Sequence, residues 1–588
     1  MTQSECRALP HSISISRRLA PPSLGGKGVG GLGFPGAIQN VPFGSNDIPA
    51  VAVLRIVVEW GRFNDASRAG TGVFVAEREI SFGRRVAELA AEHPDKPAII
   101  FLPQEGEERI VTWRELDCET NRIARLLAER GVDEGATVVV GVWNSPGHIM
   151  VTAAAWKLGA LMLPLRAILP ARERDGILAI ARPALVFADW EDVPYPTLRS
   201  AELSLADAYD GAPLPIDPPH PGKAIASGGS TGRSKIVVDR TTHPIRYGAR
   251  GSRLGEAYGQ VQLLCAPLYH NSPFLNTYGG LAADHTIVLM ERFDADRAVS
   301  AIERHRVNYA YMPPIIMRRI IMLPGVRARD FSSIQAIHSS AAPCPPWLKR
   351  AWIELIGAEK LYEVYGSSEG IGAAIIRGDE WLLHPGSVGR PTACELRILG
   401  EDGNELPPGE VGEIYTRPLL TDGPTFTYVG EAKMNATSDG FYSVGDLGWV
   451  DEEGYLFIAD RRVDMIVSGG ANVYPAEVEA ALHDHPALAD LAVVGVPDEE
   501  WGRRVHAIIQ PLDPANPPPI ADLDAWARAR ITSYKAPKTY EMMNELPRNE
   551  AGKIRRSALV TERESGWNPA MFSARGEPLP PPAPSPIP

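Results

Sequence analysis

The stretch with the clearest chemistry is Ser227-Gly228-Gly229-Ser230-Thr231-Gly232-Arg233-Ser234-Lys235, which follows the short apolar run Lys223-Ala224-Ile225-Ala226. Its glycines let the backbone turn where side chains would clash, so amide N–H groups and hydroxyls can point inward, while Arg233 and Lys235 add positive charge. A loop of this make-up is suited to holding phosphate. It is not a Walker loop: counted from Gly228, the second required glycine falls on Arg233 and the Lys-Ser/Thr pair is missing. A second candidate is Tyr365-Gly366-Ser367-Ser368-Glu369. There the ring offers a flat apolar plate, Ser368 a hydroxyl for a phosphate oxygen, and Glu369 a hard oxygen ligand for Mg²⁺.

These loops need elements to position them. Thr112-Trp113-Arg114-Glu115 is a capping box opening a helix whose Leu116, Ile123, Leu126 and Leu127 share a face until Gly131 ends it. A strand from Thr137 to Val142, a helix from Pro146 to Lys157 and a strand at Leu161–Leu163 together predict a βαβ unit. After the phosphate loop the same alternation returns, with strands at 285–290, 307–312, 334–339 and 361–365 and helices at 294–305 and 345–356. In such sheets ligands collect at the carboxyl ends of strands, where His270, the Ser340-Ala341-Ala342-Pro343 segment and the Tyr365 motif all fall.

At 588 residues the chain is too long for one ordinary core, and 44% hydrophobic with 22% charged residues is the balance of a globular protein. A net charge of −13 argues against a general nucleic-acid binder, so any anion site is local. The five cysteines, Cys6, Cys118, Cys265, Cys344 and Cys394, show no metal-ligand spacing, and the most apolar early run, 50–58, is too short to span a bilayer. The expectation is a cytoplasmic protein without an integral membrane segment. Residues 1–75, with glycines crowded between Leu24 and Gly36 and prolines recurring, read as a disordered or non-native extension.

Taken together the motifs resemble the adenylate-forming superfamily, which includes acyl-CoA synthetases, firefly luciferase and peptide-synthetase adenylation domains. The phosphate loop is similar to the usual Ser-Gly-Thr-Thr-Gly-x-Pro-Lys, with Gly229 and Ser230 for Thr-Thr and Ser234 for proline. The Tyr365 motif is similar to Tyr-Gly-x-Thr-Glu, and Val444-Gly445-Asp446 to Thr-Gly-Asp. Pro547 through Arg556, containing Gly552-Lys553-Ile554, resembles Pro-x-x-x-x-Gly-Lys-Ile-x-Arg. The resemblance covers about residues 76–560.

That resemblance implies an α/β fold. Its large N-terminal domain (76–460) would have stacked parallel-type sheets, flanking helices and an added β-structure, followed by a small mobile α+β C-terminal domain (461–562) and a proline-rich tail (563–588). It implies that ATP is held by Ser227, Gly228, Gly229, Ser230, Thr231, Gly232 and Lys235, with Ala341, Ala342, Tyr365 and Gly366 at adenine, Asp446 and Arg461 at ribose, and Glu369 at Mg²⁺. Lys553 becomes the adenylation lysine, His270 an acyl-pocket residue near the thiol entrance, and Gly470 the narrow point of a pantetheine tunnel for CoA. The hinge position falls on Val463, between Arg462 and Asp464, where many relatives carry Lys or Asp.

The activity implied is ATP-dependent joining of a carboxylic acid to CoA through an acyl-adenylate. Leu275, Tyr311, Ile315 and Ile371 suggest a largely apolar acyl pocket, and the loop together with Leu268-Tyr269-His270-Asn271-Ser272-Pro273-Phe274 looks most like the bile-acid and fatty-acid ligase branch. Two alternatives stay open: an acyl-carrier protein as acceptor, and an inactive scaffold.

Overall fold

The computed structural model describes residues 78–576 except 216–217, 219–221, 229–233, 240–244, 248–253, 420, 422, 431–432, 462, 499, 549–552, 555, 565–570 and 575. The anticipated extension over 1–75, the polyproline end of the tail, Gly229, Ser230, Thr231 and Gly232 of the phosphate loop and Arg462 of the hinge lie outside the described residues.

The capping box forms as the sequence predicts: Thr112 Oγ1 accepts from the Glu115 amide at 3.3 Å and Glu115 accepts from the Thr112 amide at 2.8 Å, opening helix Trp113–Glu129. An N-cap of this kind stabilises by ~1 kcal/mol. Helix Pro146–Lys157 joins strands Thr137–Gly141 and Leu161–Pro164, which pair in parallel within a four-stranded sheet. Its near-continuous burial suits a helix enclosed on several sides.

The larger sheet among the described residues has nine strands. Six central strands run parallel: Pro97–Leu102, Thr286–Met290, Val261–Leu264, Tyr309–Tyr311, Ala336–Ser339 and Leu361–Gly366. Thr286–Met290 is buried at every position, as expected for a strand covered on both faces. Antiparallel strands Ala373–Arg377 and Arg390–Thr392 close one edge and Arg109–Thr112 the other. A three-stranded antiparallel sheet brings Ala224–Gly228 against Ser234–Asp239, the two arms of the phosphate loop, and Phe426–Val429 against the second arm. A separate antiparallel sheet supplies Asp446–Val450 and Leu456–Arg461.

Beyond Arg461 the chain builds a second core of its own around Ile466, Val478, Leu482, Val493, Val505, Ile509 and Leu523. Strands Leu488–Asp498 and Gly502–Pro511 form its long hairpin, and Thr539–Met542 runs parallel to the second arm. Part of the segment expected as tail from 563 belongs to regular elements. Arg563 sits in helix Arg556–Glu564 with its guanidinium on buried Glu541, and Met571–Ser573 adds a strand against Thr539–Met542. Burying that guanidinium against a carboxylate ties the segment into the small domain.

Candidate functional site

His270, Ala341, Ala342 and the Tyr365–Glu369 motif lie at or just after the carboxyl ends of central strands, while Lys235, Asp446 and Arg461 come from the smaller antiparallel sheets and Lys553 and Gly470 from the C-terminal part. Glu369 follows Leu361–Gly366 by one turn and is 6% exposed. Lys235, on the second arm of the phosphate loop, donates to Glu369 Oε1 at 2.9 Å. Tyr428, from the third strand of that small sheet, donates to the same oxygen at 2.8 Å, and its hydroxyl accepts from Lys235 Nζ at 3.2 Å. Burial pulls the Glu369 carboxyl upward, but the Lys235 charge and the hydrogen bonds outweigh it, so it lies below the ordinary glutamate value. Tyr428 carried no motif: it stands 193 residues from Lys235, and only the pairing of Phe426–Val429 with Ser234–Asp239 delivers it.

Glu369 fits a Mg²⁺ ligand. Its carboxylate oxygens are the hard donors Mg²⁺ takes, and it is buried beside a loop read as a phosphate cradle. Both described contacts of Glu369 converge on Oε1.

Tyr365, Asp446 and Arg461 form the second group. Tyr365 donates to Asp446 Oδ2 at 2.7 Å, and Arg461 Nε lies 3.2 Å from Asp446 Oδ1. Asp446 and Arg461 face each other directly in the antiparallel register of their strands. Nearby, Ala341 has φ 79°, a left-handed conformation costing an alanine roughly 1 kcal/mol or more. That turn exposes Ala341 and half-buries Ala342 at the end of strand Ala336–Ser339. Gly366 ends its strand exposed, and Ser368 is half-buried beside Glu369.

His270 is the N-cap residue of helix Asn271–Ala282, and its Nε2 is buried without a partner. Burial first, then the charges of Lys553 and Arg166, push the imidazole down to about 3, so it is neutral at physiological pH. The Lys553 contribution places that small-domain ammonium within electrostatic reach of the acyl side of the site. Desolvation first and then Arg461 push Lys553 below the usual lysine value, while Asp446 and Glu369 oppose them. The residue keeps solvent-exposed surface while its charge couples to the phosphate side, the ribose side and His270.

Direct contacts hold this arrangement. Trp347 Nε1 donates to His483 Nδ1 at 3.1 Å and Arg318 donates to the Ala489 carbonyl, each joining large domain to small. At the hinge, Asp460 accepts from the Ala476 amide at 2.8 Å, while Arg556 bonds both oxygens of Glu479 at 2.8 Å and lies 3.4 Å from Asp464. Val463 is 67% exposed between them. Gly470 is not brought into the site. It has φ 80° on the turn between Ile466–Ser468 and Ala471–Val473, and a Cβ there would meet no atom within 4 Å.

Tyr311, one of the residues expected to line an acyl pocket, stands among polar groups. Ser272, Asn276, Tyr309, Tyr311, His338 and Ser340 form a hydrogen-bonded cluster between helix Asn271–Ala282 and the sheet. His338, 5% exposed, was not anticipated, because a histidine inside an apolar strand carries no signal of which face it takes.

Residues 86–420 match the model of the AMP-binding enzyme family, and residues 477–553 that of the AMP-binding enzyme C-terminal domain. The chain is 32% identical to an indoleacetate–CoA ligase of Aromatoleum aromaticum, over 79% of this chain and 95% of that protein. It is 30% identical to a fatty acid–[acyl-carrier-protein] ligase of Streptomyces coeruleorubidus, over 81% and 95%. The fold is similar to that of o-succinylbenzoate CoA synthetase from Bacillus subtilis in complex with its acyl-adenylate intermediate, with TM-score 0.70 and 25% identity, covering 82% of this chain and 98% of that one. The same synthetase in complex with ATP and magnesium ion aligns at TM-score 0.69 and 25% identity, covering 82% and 100%.

Proposed function

Because the chain belongs to the AMP-binding enzyme family and is an acyl-CoA synthetase of the adenylate-forming superfamily, using ATP, Mg²⁺ and CoA, we propose how its own residues divide the work. The observation that carries the proposal is the pair of groups in which Glu369 meets Lys235 and Tyr428, and Asp446 meets Tyr365 and Arg461, with the charge of small-domain Lys553 acting on both.

In the first half-reaction the acid's carboxylate attacks the α-phosphorus of ATP and pyrophosphate leaves. Negative charge gathers on the α-phosphate and carboxylate oxygens, where Lys553 stabilises it, while Lys235 and Thr231 hold the departing phosphates. Ser227, Gly228, Gly229, Ser230 and Gly232 line the phosphates. Tyr365, Gly366, Ala341 and Ala342 seat adenine, Ser368 reaches a phosphate oxygen, and Asp446 with Arg461 fixes ribose. Glu369 would hold Mg²⁺, which when bound would supply neutralisation of the charge on the leaving group. Glu369 meanwhile stays anionic and oriented by Lys235 and Tyr428.

In the second half-reaction the CoA thiolate attacks the mixed anhydride and AMP leaves. The small domain turns about 462–464, withdrawing Lys553 and carrying Gly470 to the thiol entrance beside neutral His270.

The acid is hydrophobic in the main. The names of relatives point to aryl acids such as indoleacetate as well as to fatty acids. The hydrogen-bonded cluster beside helix Asn271–Ala282 favours the aryl reading over the fatty or bile-acid one. A carrier-protein acceptor is the second reading, favoured by the likeness to a carrier-protein ligase. Among the described residues no helix is long and apolar enough to cross a membrane; we place the reaction in the cytoplasm.

Pyrophosphate release from ATP with a panel of acids, each with and without CoA, tests this. Multiple turnover only with CoA supports the ligase reading. A single turnover unaffected by CoA supports the carrier protein, and no release with any acid revives the scaffold and defeats the proposal.

A further inference from the structure

Where helix Asn271–Ala282 crosses the nine-stranded sheet, the covered face is polar at positions that packing alone would fill with aliphatic side chains. Tyr311 and His338 are register partners on neighbouring parallel strands, with Tyr309 two residues before Tyr311 and Ser340 two after His338, so alternation puts all of them on the same face. The helix meets them with Ser272 and Asn276, one turn apart.

The hydrogen bonds fix the protonation pattern. Asn276 Nδ2 donates to the Ser272 carbonyl at 2.8 Å, so its Oδ1 faces the strands and accepts from Tyr309 at 3.1 Å. The same Oδ1 lies 3.2 Å from His338 Nδ1, which must therefore carry the proton. The remaining nitrogen, Nε2, is then a bare acceptor, and it is buried with no partner. Burial also pushes the imidazole down to about 4, so it stays neutral at physiological pH. Ser340 Oγ, 3.2 Å from Ser272 Oγ and 3.4 Å from the Tyr311 hydroxyl, extends the polar lining toward the adenine turn.

This cluster lies along the helix that His270 caps. Six residues separate His270 from Asn276, about 9 Å of helix axis at 1.5 Å per residue. Resting on the ligase reading above, we infer that His338 reads the far end of the acid: its Nε2 accepts a hydrogen bond from a hydroxyl or N–H group on the acid's ring, and the chain thereby selects donor-bearing aryl acids over their plain analogues. A site built to satisfy a donor rejects the analogue lacking it, because its own acceptor is left buried and unpaired.

The test is pyrophosphate release with saturating MgATP and CoA on matched acids: 4-hydroxycinnamate against cinnamate, 4-hydroxyphenylacetate against phenylacetate, and indole-3-acetate against benzothiophene-3-acetate. The wild-type chain is expected to favour the donor-bearing member of at least one pair by about tenfold or more in kcat/KM. His338→Leu should bring that ratio close to one while the plain acid is still activated. His338→Gln, whose amide oxygen can replace the lone pair, should restore part of the preference. A wild-type chain that uses the plain acids as well as or better than their partners in every pair overturns the inference, and that comparison needs no variant to fold. A His338→Leu chain that keeps the ratio overturns it too. Turnover without donor preference removes this inference and leaves the ligase reading standing, whereas no pyrophosphate from any acid defeats both.

Discussion

Two turns of the small domain carry its two candidate functions, and they are in opposite situations. The charge of Lys553 is coupled to Glu369, Asp446, Arg461 and His270, and desolvation has lowered its affinity for a proton. Gly470, on the same domain, has open space around the position of a Cβ. Both lie in the part of the chain that builds its own core beyond Arg461, and the proposed rotation would carry them together. The contrast teaches how one rigid domain can serve two reactions that need different neighbours at the same atom. On the proposed reading the docked turn defines the chemistry, and the contacts Trp347–His483 and Arg318–Ala489 hold the arrangement seen here.

The sharpest way to break that contrast is to remove the docked charge. Lys553→Ala should lower the rate of adenylate formation by about 10²–10³-fold, the scale for deleting a group that stabilises transition-state charge. Burst measurements of pyrophosphate in single turnovers would read it. The pH profile sharpens the same point. Because Lys553 is pushed below the usual lysine value, adenylate formation should fall as pH rises through that lowered pKa, well before a solvent-exposed lysine would titrate. Lys553→Arg should carry that alkaline limb away even where it is slow.

Tyr428→Phe tests the phosphate side. Removing the hydroxyl leaves Glu369 with Lys235 alone among its described partners, and a loss of about tenfold, appearing as a raised Mg²⁺ requirement more than a lowered maximal rate, is expected. An unchanged Mg²⁺ dependence would make Tyr428 a packing residue. The smallest effect belongs to the latch. Trp347→Phe deletes one hydrogen bond to neutral His483, worth about 1 kcal/mol, and should slow adenylation by a few-fold without slowing thiolation. Acid should act alike. Burial lowers the His483 pKa, so the latch is complete above the unfolded value near 6.5 and is lost as pH falls through and below it.

How much of this was legible in the sequence depended on what each residue had to announce it. Helix Trp113–Glu129 was readable because its cap is local: Thr112 and Glu115 are three residues apart and the contacts are between them. Glu369, Asp446 and Lys553 were readable as motif positions, and the structure couples them. Tyr428 was not, since its role depends on a strand pairing across 193 residues and a tyrosine in a strand is ordinary. The acyl side failed for a related reason. Leu275, Tyr311, Ile315 and Ile371 suggested an apolar lining, but the polar neighbours of Tyr311 come from a strand register that pairs it with His338, which only the folded sheet settles. The boundary at 563 failed because proline composition marks where packing ends only approximately, while the pairing of Met571–Ser573 is non-local.

The central claim is that adenylation and thiolation use different turns of one moving domain, and the most direct measurement supplies a synthetic acyl-adenylate with CoA to Lys553→Ala and Gly470→Leu and follows acyl-CoA formation in a single turnover. Lys553→Ala is predicted to thiolate within a few-fold of the wild-type rate while Gly470→Leu, still able to form adenylate, is slowed by about tenfold or more. Equal losses in both half-reactions for each variant would contradict the account.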